Sequence, residues 1–206
     1  MPNHVYNTVT ITAKTKEDLD AFLRKASAQE REFSYWNFIT PPAEALASGE
    51  YWATRGFVAG KETGHTPNNW YEFNTREWGT KWDVYDLEFT RDNDLHARAA
   101  FCSAWSPPTP VFEAIAEQHE ELDFSFYWEE EQGWGGEAYG TEGQFVIEKE
   151  WDIPDSHADY VALDREDSCN CNQDDREYWF KDCPPIEVPE HEGCNCSHHQ
   201  KEKVNG

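Results

Sequence analysis

Residues 4–13, HVYNTVTITA, put Val5, Asn7, Val9 and Ile11 on one side of an extended chain and Tyr6, Thr8, Thr10 and Thr12 on the other. Alternation in a run rich in β-branched residues predicts a strand with one face toward a core. The next segment, TKEDLDAFLRKASAQE, predicts a helix. Thr15 precedes Asp18 by three residues, a capping-box spacing with Asp in the usual Glu place, and Leu19, Phe22, Leu23 and Ala26 share one face. A strand followed at once by an amphipathic helix buries both apolar sides together, which restricts the chain to a sheet carrying helices.

The same unit recurs. WDVYDLEFT (82–90) and a run within 93–108 alternate as strands, separated by the turn signal Asp92-Asn93-Asp94. TPVFEAIAEQHEE predicts a helix capped by Thr109, with Pro110 in its first turn and Val111, Phe112, Ile115 and Ala116 facing inward. LDFSFYWEEE (122–131) follows as a strand, Gly133, Gly135 and Gly136 read as a turn, and GQFVIEKEW (143–151) reads as a last strand extending the sheet. Strand, helix, strand, strand, helix, strand is the split βαβ, or ferredoxin-like, order: an α+β fold with an antiparallel sheet and two helices on one face. A long insertion at about 33–81 interrupts it. Pro41-Pro42 permit a helix start at Ala43, and residues 51–69 read as loop. Residues 1–151 form one domain on this reading. Residues 152–206 are an acidic, Cys/His-rich tail, a possible small metal-bound module.

Five blocks in order carry a family resemblance: MPNHVYNTVTI at the start, WNFITPP at 36–42, NNWYEFNTREWGTKWDVYD at 68–86, AFCSAWSPPTPVFEAIAE at 100–117 and YWEEEQGWGGEAYG at 127–140. Together they resemble the Api92-like family of phages and bacterial plasmids over roughly residues 1–150. The resemblance implies the ferredoxin-like domain and a mobile-element origin. It implies no reaction and no catalytic residues.

The formal charge is −24, from 41 acids against 17 bases, and residues 101–206 carry −20 of it. Such a field repels nucleic acid and anionic membrane, so a direct nucleic-acid partner is not expected. No apolar run is long enough to span a bilayer, and the first residues lack the basic start and apolar stretch of a secretory signal. The expected location is the host cell cytoplasm, with cysteines reduced or metal-bound.

Three groups of residues invite chemistry. Trp70, Arg76, Trp78, Lys81, Trp82 and Trp134 would line an aromatic groove that stacks a planar ligand, with the two bases on phosphate. The structural alternative is that these aromatics, with Tyr71, Trp105 and Trp128, cover the helix-free face of the sheet under the insertion, which folds over at Gly79-Thr80. Glu129, Glu130, Glu131 and Glu137 would face a protein partner, or with Asp83 or Asp86 hold Mg²⁺. Cys169, Cys171, Cys183, Cys194, Cys196 and His198 are zinc ligands by chemistry, although the C-x-C spacing departs from usual zinc knuckles. No P-loop, Rossmann fingerprint, HExxH or nucleophile elbow is present. The function these features suggest is a non-enzymatic acidic protein of a mobile element that engages a host or defence protein. The alternatives are a protein that sequesters a nucleotide signal, and a metal-dependent hydrolase using Glu129, Glu131 and Glu137.

Overall fold

The computed structural model describes residues 3–27, 31–47, 50–52, 56–58 and 69–163. In chain order the elements are β1 (His4–Ala13), α1 (Lys16–Ala26), a 3₁₀ turn (Tyr35–Asn37), α2 (Ala43–Ala47), β2 (Glu50–Trp52), β3 (Gly56–Val58) and α3 (Trp70–Phe73). A π turn (Asn74–Trp78) continues α3, and then come β4 (Tyr85–Arg91), β5 (His96–Ala104), α4 (Thr109–Gln118), β6 (Leu122–Glu130), β7 (Gly135–Thr141), β8 (Gln144–Trp151) and α5 (His157–Ala162).

Six strands form one antiparallel sheet in the order β4-β5-β1-β6-β7-β8. β1 pairs with both β5 and β6, so β4-β5-β1-β6 is the expected ferredoxin-like core. α1 begins as its sequence requires: the Asp18 amide donates to Thr15 Oγ1 at 3.2 Å. α4 begins one residue earlier than a Thr109 cap allows. Pro108 is the residue before the helix, and no side chain caps it.

Residues of β1, β5 and β6 with odd, odd and even numbers form the core face: Val5, Val9 and Ile11 beside Ala97, Ala99 and Phe101 and beside Phe124, Phe126 and Trp128. Leu19 and Phe22 of α1 and Val111, Phe112 and Ile115 of α4 close over them. The rings of Phe112 and Phe126 stack with centroids 4.1 Å apart.

Phe33, Tyr35, Phe38 and Trp78 of the insertion pack on this same face, not on the helix-free one. Phe33 lies against Phe101 and Phe112, Tyr35 against Phe101 and Trp78, and Phe38 against Phe22. The expected aromatic cover of the opposite face is corrected for Trp78 and Trp128, which are buried on the helix side, while Trp82 does pack over Tyr85 and Cys102 at one corner of that face. The alanines of β5 leave a hollow on the helix side that the rings of Phe33, Tyr35 and Phe38 fill. A buried carboxylate holds the insertion down: Asp83 accepts from Ser34 Oγ at 2.5 Å, the Tyr35 amide at 2.9 Å and the Val84 amide at 2.8 Å, and pairs with Arg31 at 3.2 Å. Within the insertion, β2 and β3 pair as a short hairpin where loop was expected.

β7 is a second departure from the sequence pattern, in which Gly135 and Gly136 read as a turn. Gly136 and Gly140 sit across the ladder from Trp128 and Phe124. A Cβ at these positions would lie 2.2 Å from Trp128 Cζ2 and 2.1 Å from Phe124 Cε1, so only glycine lets those rings lie across the strand. The actual β7–β8 turn is Glu142-Gly143, both with positive φ (50° and 79°), the signature of a type I′ hairpin.

A second unit starts at Pro154. Its described part is α5, capped by Ser156, whose Oγ accepts from the Asp159 amide at 3.2 Å. The expected zinc ligands Cys169, Cys171, Cys183, Cys194, Cys196 and His198 lie outside the described residues.

Candidate functional site

With both helices and the aromatics of the insertion on one side, the other side of the sheet is open among the described residues except at its β4–β5 corner, where Trp82 packs over Tyr85 and Cys102. Pairing register defines what it presents. One row runs Cys102, Tyr6, Glu129, Gly135 and Trp151, and the next runs Glu88, Ala100, Thr8, Tyr127, Glu137 and Lys149. A third runs Thr90, Arg98, Thr10, Ser125, Tyr139 and Val146. Tyr6, Tyr127, Tyr139 and Val146 are 55%, 39%, 43% and 53% exposed. Tyr127 Oη donates to Glu129 Oε2 at 2.7 Å, which holds phenol and carboxylate together on the face. Acids there include Glu88, Asp123, Glu129, Glu137 and Glu148, which bonds the Tyr139 phenol, against Arg98 and Lys149, and Arg98 is already engaged by Asp92 at 2.7 Å. The result is an acidic strip with aromatic anchors on a rigid sheet.

Of the acids expected to meet a partner, Glu129 and Glu137 are on this face. Glu131 is exposed where β6 ends, its amide bonded to the His4 carbonyl at 3.2 Å. Glu130 is not available: it is 2% exposed, with Oε1 accepting from Asn3 Nδ2 at 2.6 Å and Oε2 from the Gln132 amide at 2.7 Å. Strand parity sends it to the core side, where it fastens the N-terminal end of β1 to the β6–β7 connection.

The residues expected to stack a ligand are dispersed. Trp78 is fully buried, with its indole N–H bonded to the Ile39 carbonyl at 2.9 Å, so it has no accessible ring face. Arg76 pairs with the adjacent Glu77 at 2.6 Å. Trp70 is buried and meets Tyr71 edge-on, while Trp134 lies at the β6–β7 connection, partly packed on the core. Lys81 and Trp82 do come together, and Trp105 joins them. Lys81 Nζ lies 5.2 Å from the Trp82 centroid and 4.6 Å from that of Trp105. Trp105 is exposed, with φ +74°, a conformation costly for a residue other than glycine; its amide bonds to the Asn3 carbonyl at 3.0 Å.

Next to this cluster, Tyr85 Oη donates to the Ser103 carbonyl at 3.2 Å and is bonded to His4 Nδ1 at 2.7 Å. The phenol has one proton, so the imidazole supplies the other. Burial, with Cys102 and Asp86 adding to it, raises the Tyr85 phenol well above its ordinary value. Burial, followed by Asp86 and Glu131, pushes the Cys102 thiol up to about 11. Both groups are thus held protonated at neutral pH, the opposite of what a nucleophile needs. Among the described residues no group of three His, Cys, Asp or Glu is placed to hold a metal ion. No helix in the described residues is long and apolar enough to cross a membrane.

Comparison with known proteins agrees with the fold. No curated protein matches the chain. Among solved structures, the protein api92 from Yersinia pseudotuberculosis is similar at 9% identity and a TM-score of 0.45, over 75% of this chain and 99% of that one. A likeness that distant carries no inference about a site. Residues 84–170 match a family model described as the ferredoxin-like domain in Api92-like protein, a span that starts just before β4 and continues past α5. That match and the resemblance of the five sequence blocks agree: residues 84–170 are similar to the ferredoxin-like domain of Api92-like proteins.

Proposed function

We propose that this chain is a non-enzymatic binding protein that engages a protein partner through the helix-free face of its sheet. The observation that carries the reading is the exposed strip of Tyr6, Tyr127, Tyr139 and Val146 interleaved with Glu129 and Glu137. Aromatic side chains on a rigid sheet are anchors that lose little conformational entropy on binding, and carboxylates between them select a basic partner surface. In this proposal the partner is a host or defence protein, met in the cytoplasm of a cell carrying a mobile element. The acidity supports it, because a surface that ordinarily meets nucleic acid is complementary to such a strip.

The nucleotide-sequestering reading has less support, since Trp82 and Trp105 already share the Lys81 ammonium and Arg76 is paired with Glu77. The hydrolase reading has less still, since Glu129, Glu131 and Glu137 do not gather into a group that could hold a metal ion among the described residues.

The test compares capture of protein from host lysate by the full chain and three variants. Tyr6→Ser/Tyr127→Ser removes anchors, and Glu129→Lys/Glu137→Lys reverses charge on the face. Glu113→Lys/Glu117→Lys makes the same charge change on the exposed side of α4. One protein retained by wild type and by the α4 variant, lost from both face variants and weakened by salt, is the expected result. Equal retention by all four chains would sink the proposal.

A further inference from the structure

At the β4–β5 corner of the open face, Tyr85, Cys102 and Ala104 form a small buried floor with Trp82 packed against it. Strand pairing carries this floor on to Tyr6, which stands across from Cys102 and is 55% exposed, and sets His4 across from Ala104. Three groups beside the floor are hydrogen-bond acceptors with no donor among the described residues. The first is Asp86, the extra residue where the β4–β5 register shifts, with φ +50°, between Tyr85 on this face and Leu87 on the core side. A bulge of this kind re-aims a side chain. The Asp86 carboxylate adds to burial in holding the Tyr85 phenol and the Cys102 thiol protonated. The second is Glu131, whose amide bonds the His4 carbonyl and whose charge acts on the same two groups. The third is His4: Nδ1 donates to Tyr85 Oη, so Nε2 keeps its lone pair. Both acids are exposed, and neither pairs with a described base. Lys81 stays over Trp82 and Trp105 instead.

We infer that this corner receives a lysine side chain of the protein partner, with Asp86, Glu131 and His4 Nε2 as acceptors for its ammonium and the Tyr6 ring beside its stem. An ammonium is a compact charge with three donors that spread tetrahedrally, whereas a guanidinium presents its donors in one plane and is matched by paired carboxylate oxygens. Acceptors supplied separately by β1, the β4 bulge and the end of β6 suit the ammonium. Among the described residues His4, Asp86, Cys102 and Glu131 do not close into a group able to hold a metal ion. Hydrogen bonds of about 2.8 Å give an ammonium a longer reach than a metal bond. The four methylenes of lysine cover apolar surface while the charged head stays with the carboxylates, which gives the exposed Tyr6 ring a use. That the ammonium belongs to a protein partner rests on the proposed binding function; the preference for a primary ammonium rests on the corner alone.

The experiment titrates the ¹⁵N-labelled full chain with N-acetyl-lysine methylamide, its uncharged Nε-acetyl form and N-acetyl-arginine methylamide, following the amide resonances of Tyr6, Cys102 and Glu131. The lysine probe should shift all three, and binding should weaken at least about fivefold for the Nε-acetyl form and in Asp86→Asn/Glu131→Gln. Asparagine accepts the left-handed backbone that Asp86 adopts, so that variant should keep the wild-type spectrum elsewhere. Glu113→Gln/Glu117→Gln removes the same charge from α4 and should leave the affinity within about twofold. Equal shifts with the Nε-acetyl form, none with lysine, or an equal loss in the α4 variant would overturn the ammonium site whatever the capture experiment shows. Arginine binding as tightly as lysine would overturn the preference for a primary ammonium. In the capture experiment, Asp86→Asn/Glu131→Gln should weaken retention of the partner. Undiminished retention beside intact lysine shifts would overturn the partner as the source in favour of a free amine. Lysine shifts that persist while the wild type captures no partner would refute the binding function and leave the ammonium site standing.

Discussion

Trp128 of β6 stands directly across the ladder from Gly136 of β7, and its ring occupies the space a Cβ on that glycine would need. Alanine in place of a strand glycine ordinarily favours the strand. Here Trp128 is buried and cannot yield. Gly136→Ala should lower stability by about 1–3 kcal/mol, the usual range for overpacking. The same change made together with Trp128→Leu should cost clearly less than the sum of the two alone. Urea denaturation of the four proteins reads this directly, and strict additivity would mean that the ring and the glycine do not meet.

Asp83 is fully buried and joins the insertion to the sheet. Burial raises its carboxyl above the ordinary range, while Arg31, Ser34 and the Tyr35 and Val84 amides pull the other way. Asp83→Asn keeps the shape but leaves Arg31, itself nearly buried, without its counter-charge. The expected loss is about 3–5 kcal/mol, against about 1 kcal/mol for Ser34→Ala. Equal losses for the two variants in chemical denaturation would show that the ion pair is not what secures the insertion.

Cys102 should resist alkylation at neutral pH. Its folded value of about 11 lies above the ordinary 9.0, so the native state holds the proton more tightly than the unfolded chain. The stability contributed by this group is complete below pH 9 and is lost as pH rises toward 11. Iodoacetamide labelling, mapped by peptide so that Cys102 is separated from the other five cysteines, should stay slow at pH 7 and quicken steeply in that window. Rapid labelling at pH 7 in the folded protein would contradict the acidic, buried setting described for the thiol.

Asp20 ties α1 to the edge strand β4. Hydrogen bonds from Lys16 and Arg91, at 2.8 Å and 2.5 Å, hold its carboxyl at about 2. A depressed carboxylate adds stability above its unfolded value, near 4, and loses it as pH falls toward 2. An NMR titration of the Asp20 side chain should place its midpoint near 2 in wild type and higher in Arg91→Gln. An unchanged midpoint would mean that Arg91 does not hold it.

Much of the fold was legible because it rests on short-range patterns. The alternation of Val5, Val9 and Ile11, the Thr15–Asp18 cap and the periodic Phe112 and Ile115 are local signals, and each element they predict is present. β7 was hidden because Gly135 and Gly136, which read as a turn, are explained only by rings on neighbouring strands, Trp151 and Trp128. Alternation also failed locally at Asp86, where φ is +50° and the β4–β5 register shifts between Tyr85 and Glu88.

The candidate site was legible in composition and much less in placement. Sequence parity put Glu129 and Glu130 on opposite faces, but only packing showed which face keeps water. Trp70, Trp78, Lys81 and Trp82 are near neighbours in the chain. The π turn and Gly79 nonetheless send Trp78 into the core and leave Lys81 against Trp82 and Trp105. By itself the sequence determined the split βαβ elements, their order and the asymmetry of charge, because caps, periodicity and net charge depend on residues close along the chain. The tertiary structure alone decided which side of the sheet the insertion covers. That choice depends on whether the rings of Phe33, Tyr35 and Phe38 fill the hollow over Ala97, Ala99 and Phe101, a fit between residues some sixty positions apart.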